Sequence, residues 1–213
     1  MGQKKSSSWL NRQRRDPYVQ QAKQSGYRSR ASFKLLELNQ AHKLFSKKKT
    51  GARIIDLGAA PGGWSQILAT LLGKNAHIYA IDLLDMPPLA GVNFIKGDFR
   101  EPSIQATLKE ALPGNSVDWI VSDMAPNLSG VLAADQARMM DLAEAARDFA
   151  MEMLADNGGF LIKLFQGADV KPFFETVKPH FKRTMICKPD ASRSASREVY
   201  LLAQGYKNSQ QDT

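Results

Sequence analysis

Charged side chains that interrupt apolar segments are the first candidates for chemistry, because a charge there is costly unless it is paired. Lys163 stands in Phe160-Leu161-Ile162-Lys163-Leu164-Phe165. Its ammonium loses hydration if buried and needs a partner. Asp123, in Val121-Ser122-Asp123-Met124-Ala125-Pro126-Asn127, ends a neighbouring apolar run and is the obvious one. Glu198 begins the last apolar run, and Lys34 is expected to face outward from an early helix. Lysines and carboxylates held together can orient or move the proton of a weak oxygen nucleophile. Spacing in the chain does not by itself bring these four together.

A second constellation is Asp56-Leu57-Gly58-Ala59-Ala60-Pro61-Gly62-Gly63-Trp64, which follows an apolar run and leads into a helical one. Open α/β sheets bind ligands at such a strand end, and glycines let the backbone approach without a Cβ in the way. The turn is not Gly-x-Gly-x-x-Gly and lacks the Lys-Ser/Thr of a phosphate loop, which argues against a dinucleotide or a triphosphate. Asp82 closes the next strand-like run and suits two ribose hydroxyls. Asp98, in Lys96-Gly97-Asp98-Phe99, closes the one after, where a carboxylate could accept from an adenine amino group. The ligand implied is a nucleoside without a polyphosphate, for which S-adenosylmethionine is the common candidate. One cysteine, Cys187, and three histidines leave no basis for a Cys-based metal site or an internal disulfide, and no metal is expected.

The elements that must position these residues follow from periodicity. Strand-like runs fall at 53–57, 77–83, 93–95, 119–122, 159–165, 184–187 and 199–203, with helical stretches at 64–72, 103–112, 133–154 and 170–178 between them. Earlier, one helix is expected over 18–24 and another from a Ser29 cap to about His42. Asn157-Gly158-Gly159 reads as the stop of the long helix. Alternating strands and helices predict a mostly parallel sheet covered on both faces. The last two strands lack a helix between them and should pair antiparallel at an edge. Cys187, His77 and the Met139-Met140 pair read as packing, His42 and His180 as surface.

Residues 1–53 carry 14 Lys and Arg against 2 acids, residues 54–177 carry 8 against 16, and residues 178–213 carry 7 against 3. Basic ends around an acidic body suggest a polyanionic partner. Arginines and lysines of the first 53 residues, with Lys182, Arg183, Lys188, Arg193 and Arg197, are expected to contact phosphates on both sides of the catalytic group. The division expected is a basic arm over 1–28, one domain over 29–206 and a polar tail over 207–213. No apolar run approaches the ~18 residues of a membrane span. Met1-Gly2 fits a short acylation pattern and the start is poor in acids, but neither includes an apolar segment, so a soluble, cytoplasmic monomer is expected.

The chain resembles the FtsJ/RrmJ family of ribose 2′-O-methyltransferases, and most closely its bacterial large-subunit ribosomal RNA members. The resemblance lies in Arg28-Ser29-Arg30-Ala31-Ser32-Phe33-Lys34-Leu35, residues 56–66, Asp82-Leu83-Leu84, Gly97-Asp98-Phe99-Arg100, residues 122–127, Lys163-Leu164-Phe165-Gln166-Gly167 and residues 188–200. Ser32 departs from it, where relatives often carry a larger side chain on the helix expected to face RNA. The resemblance implies a Rossmann-like fold of seven strands, the last antiparallel. It also implies a catalytic tetrad of Lys34, Asp123, Lys163 and Glu198, and S-adenosyl-L-methionine held by Gly62, Trp64, Asp82, Asp98 and Asp123. The substrate implied is a uridine ribose of 23S ribosomal RNA in the assembled large subunit. A methyltransferase for small molecules or proteins, and a non-catalytic ribosome-assembly factor, are the rivals; a nicotinamide oxidoreductase fits least.

Overall fold

A computed structural model describes residues 16–45, 50–192 and 196–207. Expectations for the arm before residue 16, for Lys47 to Lys49, for Arg193 and for the tail from 208 concern residues outside these. The elements are α1 (Pro17–Gln24), α2 (Ala31–His42), β1 (Arg53–Leu57), α3 (Gly63–Leu72), β2 (His77–Asp82), β3 (Val92–Lys96), α4 (Pro102–Ala111), β4 (Val117–Ser122), α5 (Leu132–Met153), β5 (Leu154–Phe165), α6 (Val170–Val177), a 3-10 turn (Lys178–His180), β6 (Phe181–Cys187) and β7 (Glu198–Tyr206).

The strands form one sheet in the order β3-β2-β1-β4-β5-β7-β6. The pairs among β1 to β5 are parallel, and β7 runs antiparallel to both β5 and β6. The expected hairpin therefore exists, with β6 at the edge and β7 inserted between it and β5. Strands alternate between two apolar layers, as a sheet buried on both faces requires. Ile55, Ile120, Phe160, Ile162 and Leu201 meet Leu108 of α4, Phe149 of α5 and Phe173 of α6. Ile54, Val121, Leu161, Tyr200 and Leu202 meet Leu35 and Leu38 of α2 and Trp64 and Leu68 of α3. Gly205, at φ +74, inverts β7 near its end, so that Tyr206 joins the same layer as Ala203. That left-handed conformation is open to glycine at little cost.

Three local expectations are corrected. α5 stops at Met153, and Leu154 already pairs with Val117 of β4. Asn157 and Gly158 instead belong to excess chain inside β5, since Trp119, two residues beyond Val117, pairs with Gly159. Ser29 does not cap α2: the cap position is Arg30, with no side-chain bond, and the buried Ser29 Oγ has no partner. His77 is exposed at the start of β2 rather than packed. Met139 and Met140 are buried as expected.

Candidate active site

The alternation of the sheet gathers the charged residues on one face. Lys163 follows Leu161 by two residues on β5, and Asp123 follows Val121 by two beyond β4. Both lead out of the layer packed on α2 and α3, at the carboxyl ends of the parallel strands. On β7, Glu198 precedes Tyr200 of the same layer by two, and Tyr200 lies opposite Lys163 in the register. Lys34 reaches the site from α2, four residues before the buried Leu38. Residues at i and i+4 share a helix face, so Lys34 turns inward and is 5% exposed. The outward orientation expected for it is wrong.

Lys163 Nζ donates to the Asp123 backbone carbonyl at 2.6 Å and lies 3.3 Å from Asp123 Oδ1 and 3.9 Å from a Glu198 oxygen. Lys34 Nζ donates to Glu198 at 3.0 Å and lies 3.5 Å from Asp123 Oδ1. The four side chains are thus mutually paired, two cations with two anions. Tyr200, to which no role was assigned from sequence, donates its hydroxyl to Asp123 Oδ1 at 2.6 Å, and Lys34 Nζ sits 5.7 Å from its ring centre. Burial works against the Asp123 charge, but Lys163, Lys34 and the Tyr200 hydroxyl together hold its carboxyl below the ordinary range. Burial and the neighbouring Asp123 push the Tyr200 phenol well above its own, so it stays a donor.

The glycine turn lies beside this cluster. Gly62 occupies the position before α3 at φ +100, and a Cβ there would come within 2.8 Å of Arg28 Nη1 and 2.9 Å of Met86 Sδ. Asp82 accepts from the Ala60 amide at 2.8 Å and the Leu84 amide at 2.7 Å, which fixes the carboxylate at the end of β2. Asp98 pairs with Arg100 through both oxygens, and the hydrogen bonds from Arg100 lower its carboxyl. The Trp64 indole turns inward, donating to Ala31 O at 2.8 Å, with its ring 5.8 Å from that of Tyr200. Ser32 is also internal, its hydroxyl on the Gly63 carbonyl at 3.1 Å, so this position does not face RNA.

Asp56 was not singled out as a site residue. It is fully buried at the end of β1 and accepts from Ser65 Oγ at 2.6 Å. Burial, with Asp123 and Asp82 nearby and only the Ser65 bonds opposing, pushes its carboxyl up to about 7. Asp56, Asp82 and Asp123 thus lie close enough, at the ends of three neighbouring strands, to act on one another's charge. The sequence signal of Asp56 was an acid at a strand end, the same as at Asp82.

Not all expected phosphate contacts are free. Arg28 donates to the carbonyls of Pro61, Pro87 and Pro88, and Arg30 pairs with Asp16 and the Ala191 carbonyl. Arg197 donates to Gln166 O and Gln136 Oε1. Lys188, just past β6, is exposed and donates to the Ser196 carbonyl at 3.0 Å. Lys182 and Arg183 lie at the opposite end of β6 from the tetrad, so they do not flank it. His42 is half-buried, its Nε2 3.3 Å from Cys187 Sγ, and not a plain surface residue.

Residues 27–206 match the model of the FtsJ-like methyltransferase family. A ribosomal RNA large subunit methyltransferase E of Marinobacter nauticus is 48% identical over 204 residues, covering 96% of this chain and 97% of that protein. The protein of the same name from Chromobacterium violaceum is 44% identical over 202 residues, covering 95% and 97%. In three dimensions, the crystal structure of a ribosomal RNA methyltransferase from Plasmodium falciparum superposes with a TM-score of 0.75 at 27% identity, covering 84% of this chain and 98% of that one. With its seven-stranded sheet, glycine turn and matching length, this chain belongs to the FtsJ-like methyltransferase family.

Proposed function

We propose that this enzyme methylates the 2′-hydroxyl of a uridine ribose in 23S ribosomal RNA, within the large subunit, using S-adenosyl-L-methionine. The observation that carries the reading is the pairing of Lys34, Asp123, Lys163 and Glu198 on one sheet face beside the glycine turn. The names of the two bacterial relatives support the substrate. A substrate in the large subunit implies a cytoplasmic location. No helix among the described residues is long and apolar enough to cross a membrane.

Gly62, the Trp64 backbone, Asp82, Asp98 and Asp123 would hold the donor. When bound, S-adenosylmethionine supplies an activated methyl group on a positively charged sulfur. The residues of this chain must then bind and align the ribose oxygen, a poor nucleophile while protonated. Lys163 already donates toward the Asp123 carbonyl and carboxylate. As an ammonium it would donate its third N–H to the 2′-oxygen and stabilise the negative charge that develops there, the hydroxyl proton passing to solvent; as a neutral amine it would take that proton itself. Asp123 holds Lys163 in place, and Lys34 with Glu198 positions the ribose.

The test supplies methyl-labelled donor with unmodified large subunits and then hydrolyses the RNA in alkali. Cleavage requires a free 2′-hydroxyl, so ribose methylation leaves label in an alkali-stable dinucleotide. Lys163→Ala should lose ~10²–10⁴-fold in turnover while binding the donor normally. Label in mononucleotides would mean base methylation and overturn the reading. Lys163→Arg separates the two roles of the lysine. Arginine does not deprotonate in proteins, so retained activity supports an orienting cation and abolished activity supports a general base.

A further inference from the structure

A second cationic face lies at the other end of the sheet. Lys178 of the 3-10 turn, Lys182 and Arg183 of β6, and Lys207 just past β7 surround a shallow depression of about 580 Å³. All four are exposed. Among the described residues one acid, Glu175, lines it, 3.8 Å from Lys178 with both side chains more than half in solvent. Such an exposed pair is worth little and leaves the local field positive. The other lysine heads rest on neutral oxygens, Lys182 on Asn157 Oδ1 and Lys207 on the Pro179 carbonyl. Three fall within residues 178–183, and the β6–β7 pairing brings the fourth, Lys207, beside them.

Register measures the separation from the tetrad. Tyr200 pairs with Lys163, whereas Phe181 pairs with Tyr206 and Arg183 with Gln204. Arg183 is thus four residues and Lys207 seven residues of strand from Tyr200, which at ~3.3 Å each puts these cations roughly 13 to 23 Å along the sheet from the tetrad. A nucleotide whose ribose lies at Lys163 does not reach it. The cations are spread over an open surface instead of converging on one point, which suits a track of phosphodiesters better than a single phosphate ion.

We propose that this face binds the phosphate backbone of a second segment of the ribosomal RNA substrate, remote from the target nucleotide. The inference rests on the proposed function for the identity of the polyanion. Two contact regions on one particle raise affinity by effective concentration, without changing the chemistry at the tetrad. Contacts of this kind set orientation and read no sequence.

The test compares the parent with a fourfold Gln protein (Lys178→Gln, Lys182→Gln, Arg183→Gln, Lys207→Gln) and a charge-keeping one (Lys178→Arg, Lys182→Arg, Lys207→Arg). Sedimentation with unmodified large subunits across a salt series gives affinity and its salt slope. Steady-state kinetics use the same particles and a short oligonucleotide containing the target. The Gln protein should bind particles about tenfold more weakly, with a log–log salt slope shallower by roughly 2 to 3. Its kcat on particles and its KM for the oligonucleotide should match the parent, and the Arg protein should behave as the parent throughout. Unchanged particle affinity and slope overturn the proposal, as does an equal loss on the oligonucleotide. Loss on particles with parental binding to protein-free 23S RNA would assign the face to an acidic protein partner and overturn it too. A parent protein that binds no particles sinks the proposed function and this inference together, whereas parental binding with an indifferent Gln protein sinks only the face.

Discussion

Asp123 is held by Lys163, Lys34 and the Tyr200 hydroxyl, and the neutral donor is the cleanest to remove. Tyr200→Phe keeps the ring under Lys34 and deletes one hydrogen bond to a carboxylate, so turnover should fall roughly tenfold. The pH profile identifies the cause. Asp123 titrates below its ordinary range, so its charge is lost only as pH falls through that depressed value. Without the hydroxyl its carboxyl titrates higher, and the acid limb of kcat should move to higher pH. A loss by the same factor at every pH would instead mark a general defect. Asp56 has the opposite sign. Its folded carboxyl is raised to about 7 from 3.8, so the folded state holds the proton more tightly. Stability from this group is complete below pH ~4 and drains away as pH rises to about 7, by at most about 4 kcal/mol. Asp56→Asn should therefore gain in Tm relative to the parent as calorimetry moves from pH 5 to pH 8. A constant difference would mean that the carboxyl titrates normally. Lys163 and Asp123 were visible in the sequence as charges at odd places in apolar runs. Lys34 and Tyr200 were harder, because a helix face and a cross-strand neighbour depend on which partner they meet.

At the scale of elements, the strand and helix alternation was legible because both sheet faces are apolar and each helix buries one stripe. Boundaries set by tertiary contact were not. Ser29 carries the residue type of a cap, yet the chain enters α2 through Arg30, whose guanidinium is tied to Asp16 and Ala191. Arg28 shows the same limit more sharply, since its charge suggested phosphate and its place gives it another task. It joins Pro61 of the glycine turn to Pro87 and Pro88 beyond β2, while its backbone amide donates to Gln66 of α3 at 2.9 Å. One side chain thus sets the spacing of two segments that border the proposed donor pocket. Arg28→Ala should weaken S-adenosylmethionine binding roughly tenfold by calorimetry, and change the affinity for large subunits far less, a magnitude expected for hydrogen bonds from a charged group. Unaltered donor affinity with a loss on particles would return Arg28 to the role of a phosphate contact.

At the scale of the whole molecule, charge gave the sign of the partner but not its place. Lys182 and Lys188 are six residues apart, yet β6 carries them toward opposite ends of the sheet, since seven extended residues span roughly 23 Å. The 14 basic residues of the first 53 and the 16 acids of the middle segment likewise describe a bipolar chain whose net charge, +8, understates its field. Association with RNA should therefore depend on ionic strength far more than the net charge suggests. Raising monovalent salt from about 50 to 200 mM should increase KM for large subunits at least tenfold, because released counterions drive that step. The turnover at saturating subunits should hardly change, since the tetrad ion pairs are shielded from solvent. KM for S-adenosylmethionine should also stay nearly constant, as a single small donor releases few counterions beside an extended polyanion. Stopped assays at several salt concentrations, varying one substrate at a time, separate these terms. If the two KM values climbed together, the salt effect would lie inside the pocket, and a bipolar surface would not be what brings the RNA to the enzyme.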